Sequence, residues 1–489
     1  MAESALTPDG VTAPFTSGDV LRATGGRLRD GDVSGTFAGV SIDTRTIAPG
    51  SLFVALKGDR FDAHDFLSEA KAKGAAAAVV RTGTPAVPGF PFFLVDDTLR
   101  ALGGLAALHR RRFTIPLAAI AGSNGKTTTK EMLAAILRAR GPALATEGNL
   151  NNEVGVPLTL LRLSGEHRAA AVELGMSAPG ELARLTAIAQ PDVGVVTLVA
   201  DEHLEFLKDL DGVAEAEGEL YRGLLPGSVA VVNVDDPRAV RQAERVANGV
   251  GRISFGKSPN ADVRLVEVTS RGVEGMEICL EGEEGIAAAG GARRASNLQR
   301  RSVTVRLAFV GEHNAMNAAA AAAVARALSF SFEEISRGLS SARPYLHRSR
   351  VVPGAGGITI LDDCYNASPP SMEAALATLA TLAGGGRRVA VLGDMLELGE
   401  AEEGAHRELG RSARSRVDIA AFFGPRSLHA FEEFRSSASP SSGHFTEVEP
   451  LLAWLRPQLR PGDTLLVKGS RGMKLERVVD ALTGGSGPR

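Results

Sequence analysis

The stretch Leu117-Ala-Ala-Ile-Ala-Gly-Ser-Asn-Gly-Lys-Thr-Thr-Thr-Lys-Glu131 constrains this chain more than any other. Leu117 to Ala121 is a short apolar run and reads as a buried strand. Gly122-Ser-Asn-Gly125 is a turn bounded by glycines. From Lys126 on, apolar residues recur at Met132/Leu133 and Ile136/Leu137, a helical period that Gly141-Pro142 ends. Strand, glycine turn, Lys-Thr and helix form the geometry of a phosphate cradle. The turn aims backbone N–H groups at the anion, and the helix N-terminus adds its dipole. Gly122, Ser123, Asn124 and Gly125 would line the cradle. Lys126 would reach the β- and γ-phosphates, and the hydroxyl of Thr127 or Thr128 would sit on Mg²⁺. The common form of this motif has one more glycine, at the position where this chain carries Ile120.

A chain of 489 residues is too long for a single core, so two or three domains are expected. The net charge of −3 gives no electrostatic case for nucleic acid or an anionic membrane. No run of about 18 apolar residues exists, so no transmembrane helix is expected. The start, Met1 to Gly10, lacks a basic region followed by an apolar one, so no signal peptide is expected. Cys279 and Cys364 are the only cysteines, without metal-type spacing, and suit a reducing cytoplasm. One tryptophan and three tyrosines argue against a stacking platform for single-stranded nucleic acid.

The periodicity divides the chain into three α/β segments: 1–112, 113–340 and 341–489. In the first, Leu52–Leu56, Ala76–Val80 and Phe92–Val95 read as strands and Phe66–Lys73 as a helix. Asp43, Thr44, Arg45 and His64 fall at loop positions, where polar residues are free to bind. In the second, Leu117–Ala121, Ala169–Leu174, Val193–Val199, Val229–Val234 and Arg252–Phe255 alternate with helical stretches. That pattern predicts a mostly parallel sheet with helices on both faces, and ligands at the carboxyl ends of the strands. Glu173 and Asp201-Glu-His203 follow strand ends, so Glu173 and His203 are candidates to share a Mg²⁺ site with Thr128. The loop Thr146–Pro157 offers the amides of Asn149, Asn151 and Asn152 to a polar ligand. Gly285–Arg301 reads as a hairpin tip, and Gly311-Glu-His-Asn-Ala-Met-Asn317 opens an alanine-rich helix. In the third segment, strands at Ile358–Leu361, Arg388–Leu392 and Thr464–Val467 each lead into a polar motif. These are Asp362-Asp-Cys-Tyr-Asn-Ala-Ser-Pro369, Gly393-Asp-Met-Leu-Glu-Leu-Gly-Glu400 and Lys468-Gly-Ser-Arg471. Together they suggest a binding rim.

Set side by side, these motifs resemble those of the Mur ligases over nearly the whole chain, from about Val40 to Val479. Asp43-Thr-Arg45 with Gly50-Ser-Leu-Phe-Val-Ala-Leu56, Gly122–Glu131, Gly148–Asn152, Glu173-Leu-Gly175, His203-Leu-Glu205 and Gly311–Asn317 carry the likeness. Tyr365-Asn-Ala-Ser-Pro369 and Gly393–Gly399 are similar to the members that add D-alanyl-D-alanine. The resemblance implies an N-terminal domain for a UDP-sugar, a central P-loop ATPase domain and a C-terminal Rossmann-like domain. It implies an ATP- and Mg²⁺-dependent, cytoplasmic ligase of peptidoglycan precursor synthesis; a monomer is expected. Such a ligase phosphorylates the carboxylate of UDP-MurNAc-tripeptide, and D-alanyl-D-alanine attacks the acyl phosphate. By resemblance Asn314 and Asn317 would touch the adenine side of ATP, Asp363 its ribose and Arg348 its phosphates. Lys468 and Arg471 would face the dipeptide or phosphates. Asp43, Thr44, Arg45 and His64 would line the UDP site, and Asn149, Asn151 and Asn152 the muramoyl-peptide path.

Two positions depart from the family pattern. Ser368 stands where the family has asparagine. Glu217, in Ala216-Glu-Gly-Glu219, stands where the family has a carbamylated lysine, so it is the candidate for that lysine's catalytic, metal-binding role. Another amide ligase of the superfamily, such as a folylpolyglutamate synthase, would share the phosphate turn but not the third-segment motifs. A non-catalytic wall-assembly scaffold would keep the fold and lose the lysine.

Overall fold

The computed structural model describes residues 14–484, apart from 30–34, 59–60, 203, 284–299 and 436–440. Three large sheets organise them. The first contains β1 (Arg27–Arg29), β2 (Val40–Ser41), β3 (Leu52–Val54), β4 (Ala77–Arg81) and β5 (Phe92–Val95), in the order β1-β5-β4-β3-β2. Only the β1–β5 pair is antiparallel. The strand expected to reach Leu56 stops at Val54. The helix expected from Phe66 begins one turn earlier, as a 3₁₀ turn at Ala63–Phe66, because Asp62 accepts the His64 N–H and caps it. Helix α1 (Thr98–Arg110), capped by Asp97, then leads out of the sheet.

The central sheet has nine strands: β6 (Leu117–Ala121), β7 (Ala143–Ala145), β8 (Ala169–Glu173), β9 (Val193–Val196), β10 (Val229–Asn233), β11 (Gly251–Gly256), β12 (Val263–Ser270), β13 (Met276–Glu283) and β14 (Arg300–Leu307). Their order is β14-β13-β12-β11-β10-β9-β6-β8-β7. The pairs from β12 to β7 are parallel, and β12-β13-β14 is an antiparallel edge. Of the segment expected as a hairpin tip, only Arg300 and Arg301 are described, at the start of β14; the rest lies outside the described residues. Every residue of β6 is buried, as a strand covered on both faces requires. Leu117, Ala119 and Ala121 face one core, with α3 (Leu210–Arg222) beyond. Ala118 and Ile120 face the other, with α2 (Lys126–Leu137) and α4 (Glu312–Ala327). Ala318 to Ala323 of α4 are all buried, and their small side chains let the helix lie close to its neighbours.

The first core does not end with the first sheet. Phe15, Val79, Phe93 and Leu105 belong to the same cluster as Leu117, Val172 and Leu185. The expected boundary near residue 112 therefore separates two sheets that share apolar packing. The last sheet is more self-contained. It comprises β15 (Arg350–Pro353), β16 (Thr359–Asp363), β17 (Arg388–Gly393), β18 (Ile419–Phe423), β19 (Ser441–Phe445) and β20 (Thr464–Lys468), in the order β15-β16-β20-β17-β18-β19. Its two cores, with α5 (Pro369–Leu382) over one face, draw on this unit alone apart from Val310. Among the described residues no helix is long and apolar enough to cross a membrane.

One consequence of the strand order positions the site. β6 lies between β8 and β9, so the chain leaves it to one side and returns on the other. Residues that follow the carboxyl ends of β8 and β9 therefore flank the turn after β6.

Candidate active site

The turn between β6 and α2 is closed by two glycines in the left-handed region, Gly122 (φ 119°) and Gly125 (φ 84°). A Cβ on Gly125 would lie 2.1 Å from Oδ1 of Asn317, and one on Gly122 2.2 Å from Oγ1 of Thr197. Only glycine fits at either position. The Thr197 hydroxyl donates to the Asn124 carbonyl at 2.5 Å. β9 ends at Val196 and not at Val199 as expected, and the chain beyond it stays bonded to the turn through the Thr197 N–H to Ala121 and the Ser123 N–H to Leu198. Ser123 Oγ accepts the Ala200 N–H at 2.9 Å.

Lys126 opens α2. Its Nζ donates to the Gly122 carbonyl at 2.5 Å and lies 3.6 Å from Glu202 Oε2. Burial alone would push this amine down. Glu202, Glu217 and Glu173 outweigh it and hold Lys126 above its ordinary value, so it stays charged. Glu173 ends β8 and is 3% exposed. Asn151 Nδ2 donates to its Oε1 at 2.9 Å, while its buried Oε2 has no hydrogen-bond partner.

Glu217 sits in the middle of α3, 2% exposed. It accepts the Gly122 N–H, and its carboxyl meets that of Glu202. Its Oε2 is buried without a hydrogen-bond partner. Burial pushes the Glu217 carboxyl well up; Lys126 draws it down and Glu202 pushes it up again. The neighbouring acids go elsewhere. Glu215 pairs with Arg245, and Glu219 accepts the N–H groups of Gly180 and Ala183. Only the middle one of the three faces the phosphate turn.

Two buried carboxylates, Glu173 and Glu217, and the half-buried Glu202 thus surround one ammonium, and Glu173 and Glu217 each keep an oxygen free of hydrogen bonds. Such an arrangement calls for more positive charge, and its all-oxygen donors suit Mg²⁺. The residues fit a divalent cation. Thr127 is buried and Thr128 half-buried at the same helix start, while His203 lies outside the described residues. Glu202 was hidden in the sequence. It stands in the triple Asp201-Glu-His203, and spacing cannot tell which member turns inward.

The last sheet brings a second set of groups to the turn. Arg348 stands between two residues in the left-handed region, His347 (φ 62°) and Ser349 (φ 47°). Asp362 binds His347 Nδ1 at 2.8 Å, and Asp363 accepts the Ser349 N–H at 2.8 Å. Two consecutive carboxylates at the end of β16 thus hold the turn that presents Arg348. Its Nη2 lies 3.5 Å from Thr127 Oγ1. Ser368, which caps α5, sits with Oγ 3.4 Å from Asn124 Oδ1. Lys468 is 3% exposed and donates to Asp363 Oδ2 at 2.6 Å, so its charge is turned towards Asp363. Arg471 is half-exposed and 3.3 Å from Glu476. In the third strand-end motif Asp394 turns away from this rim, while the Leu396 N–H reaches Ser470 Oγ and Gly399 lies against Glu205. Asp394 is fully buried and accepts the N–H groups of Arg426 and Ser427, which makes Gly393-Asp-Met a fold element.

Asn314 and Asn317 lie under the turn. Asn314 Nδ2 donates to the Val310 carbonyl, and Asn317 Nδ2 to Asn314 Oδ1. The same first turn of α4 opens onto a cavity of about 690 Å³ lined by Lys257, Gly311, His313, Met316 and Thr378. Of the loop asparagines, Asn151 reaches Glu173, Asn152 caps the helix Gly155–Leu161, and Asn149 is exposed. In the first sheet, His64 bonds Asp62 and the Arg81 N–H at the wall of a separate cavity of about 440 Å³. Asp43 and Arg45 pair with each other, and Thr44 donates to Glu69; none of the three lines that cavity.

Comparison with known proteins fits this geometry. The Mur ligase family, catalytic domain, matches residues 36–110. The Mur ligase middle domain matches 120–325, and the Mur ligase, glutamate ligase domain, 347–471. The chain is similar to the UDP-N-acetylmuramoyl-tripeptide–D-alanyl-D-alanine ligase of Escherichia coli (strain K12), at 38% identity over 94% of this chain and 96% of that protein. It is similar to a crystal structure of MurF from Acinetobacter baumannii, with TM-score 0.86 and 33% identity over 96% of this chain and 99% of that one. It is also similar to the MurF ligase of Thermotoga maritima in complex with ADP, with TM-score 0.77 and 27% identity over 91% and 97%.

Proposed function

The chain belongs to the Mur ligase family, and from that premise we propose that it joins D-alanyl-D-alanine to UDP-MurNAc-tripeptide at the expense of ATP. The observation that carries this reading is Lys126, set in a phosphate turn among Glu173, Glu202 and Glu217, in a chain similar end to end to ligases of that name.

The acceptor's carboxylate and the triphosphate repel each other, so fixed positive charge must bring them together. Lys126 supplies it from α2 and Arg348 from the last sheet, while the turn's N–H groups hold the phosphates. Glu173, Glu217 and Thr128 would hold Mg²⁺, with His203 by resemblance and Glu202 beside them. The ion would neutralise charge on the transferred phosphoryl group. We read Glu217 as standing in for the carbamylated lysine, since it offers a negative end without CO₂. It is shorter by about 4 Å and would act through a metal-bound water. Asn314 and Asn317 shape the turn from beneath, and the adenosine end of ATP is directed towards the neighbouring cavity. Asp363 then orients Arg348 and Lys468 as well as approaching the ribose. Asp43, Thr44, Arg45 and His64 remain the proposed UDP contacts, Asn149, Asn151 and Asn152 the muramoyl-peptide contacts, and Arg471 the dipeptide or phosphate contact. Groups from two sheets converge on the turn, so closure would exclude water from an acyl phosphate that hydrolyses easily. We assign the reaction to the cytoplasm and to a monomer.

Phosphate release by purified protein tests the reading. Release should require ATP, Mg²⁺, UDP-MurNAc-tripeptide and D-alanyl-D-alanine together. Full release without the dipeptide, or with a different amine donor in its place, would overturn it.

A further inference from the structure

Tyr365 follows β16 by two residues. Two guanidinium groups lie over its ring: the Arg348 carbon is 4.2 Å from the ring centroid and that of Arg471 5.5 Å. The two cations come from different turns, and both are drawn to one ring.

The manner of holding matters for Arg348. Among the described residues it forms no ion pair, its contact with Thr127 is long, and its Nε is buried without a partner. A carboxylate would fix an arginine by its edge and use up the N–H groups that recognise an oxyanion. An aromatic ring fixes it by its face and leaves those N–H groups free. Arg348 is therefore oriented yet unspent. Its backbone, strained between His347 and Ser349, is pinned by Asp362 and Asp363, so ring and backbone fix the same group from two sides. Arg471 is the less committed partner, half-exposed and shared with Glu476. The ring's negative face also offsets part of the repulsion between two like charges brought together.

We propose that Tyr365 is a positioning residue that holds Arg348, and with it Arg471, by the guanidinium face so that their N–H edges meet the phosphates of the bound nucleotide. This rests on the nucleotide reading of the site above, and extends it to a residue that need not touch the nucleotide. The ring does the work and the hydroxyl does not.

The test is a cycle of variants read by calorimetric affinity for a non-hydrolysable ATP analogue with Mg²⁺, and by kcat. Tyr365→Leu removes the ring and should weaken analogue binding roughly tenfold, the scale of a desolvated cation–π contact. Tyr365→Phe restores the ring and should recover most of that loss. In an Arg348→Ala background, Tyr365→Leu should cost clearly less than in the wild type, because the ring acts mainly through Arg348 and Arg471 is the less committed partner. Melting curves establish that each variant is folded. Unchanged binding by Tyr365→Leu overturns the proposal, and so does an equal loss in Tyr365→Phe, which would assign the effect to the hydroxyl. Additive losses with Arg348→Ala overturn it too. Analogue binding does not depend on the acceptor, so an inactive wild-type protein would sink the ligase reading and leave this result to stand or fall alone.

Discussion

Replacing Lys126 by alanine removes the charge that Glu173, Glu202 and Glu217 surround. The variant should lose about two or more decades in kcat, the scale of a contact that stabilises charge in the transition state. It should still melt cooperatively in Mg²⁺; near-normal turnover would refute the role. Glu217 gives a sharper test, because its two neighbours in sequence serve as controls. Glu217→Gln should weaken Mg²⁺ binding by calorimetry and lower turnover, whereas Glu215→Gln, whose partners Arg245, Gln242 and Arg222 lie away from the phosphate turn, should do neither. Removal of bicarbonate and CO₂ should leave the wild-type rate unchanged; stimulation by bicarbonate would point to another residue. Stability should move the other way. Burial raises the Glu217 carboxyl, so at a pH between its ordinary and its folded value the folded metal-free protein binds a proton there that the unfolded chain releases. A raised acid stabilises below the ordinary glutamate value of 4.5 and loses that contribution as pH rises towards the folded value. Metal-free Glu217→Gln should therefore melt higher than wild type above about pH 5, by a margin that grows with pH.

At the scale of elements, α3 shows how one helix sorts a run of acids. Residues two apart on a helix diverge by roughly 200°, so Glu215 and Glu219 cannot share the face of Glu217. One goes to the helix Pro237–Ala243 side through Arg245, and the other caps Glu181–Ala189. A second junction fixes α2, whose N-terminus forms the phosphate turn. Arg140, just past its end, grips Glu334 with two hydrogen bonds of 2.7 Å and ties it to the helix Phe332–Ser341. Those bonds hold the Glu334 carboxyl at about 2. A depressed acid contributes stability above its ordinary value of 4.5 and loses it as pH falls towards 2. The pair is partly exposed, so its worth is about 1 kcal/mol or less. Glu334→Gln should lower Tm slightly at pH 7 and match wild type near pH 2; an equal deficit at both would assign the effect to lost packing.

At the scale of the whole molecule, the first two sheets share a core and the last keeps cores of its own. Across the phosphate turn the last sheet makes long side-chain contacts, Arg348 to Thr127 and Ser368 to Asn124. Units joined by few contacts move relative to one another, and those sharing apolar packing move together. The last unit should therefore close on the other two as one body. X-ray scattering should show a smaller radius of gyration when ATP analogue and UDP-MurNAc-tripeptide are both bound than for the free protein. No change at saturation would mean that the free protein is already closed.

Local chemistry made part of this protein legible from its residues alone. Glycines at 122 and 125 with Lys126 and a helical period specify a phosphate turn, because backbone freedom and side-chain spacing are properties of neighbours in sequence. The same holds for the strand-helix alternation of the central sheet, for the buried alanine helix α4, and for the motifs that mark the family. Their ends were less legible, since β9 gives way at Val196 to a segment bonded to the distant phosphate turn. What the sequence could not decide were meetings between distant side chains. Glu202 and Glu217 face Lys126 because β6 lies between β8 and β9 and α3 covers that face. Asp394 turns inward while Asp363 turns to Arg348's loop, although both follow strands of one sheet. Tyr365 acquires two arginines from turns on either side of it in sequence. Strand order sets which ends become neighbours, and burial then sets which charges must pair; neither is written in the spacing of any one segment.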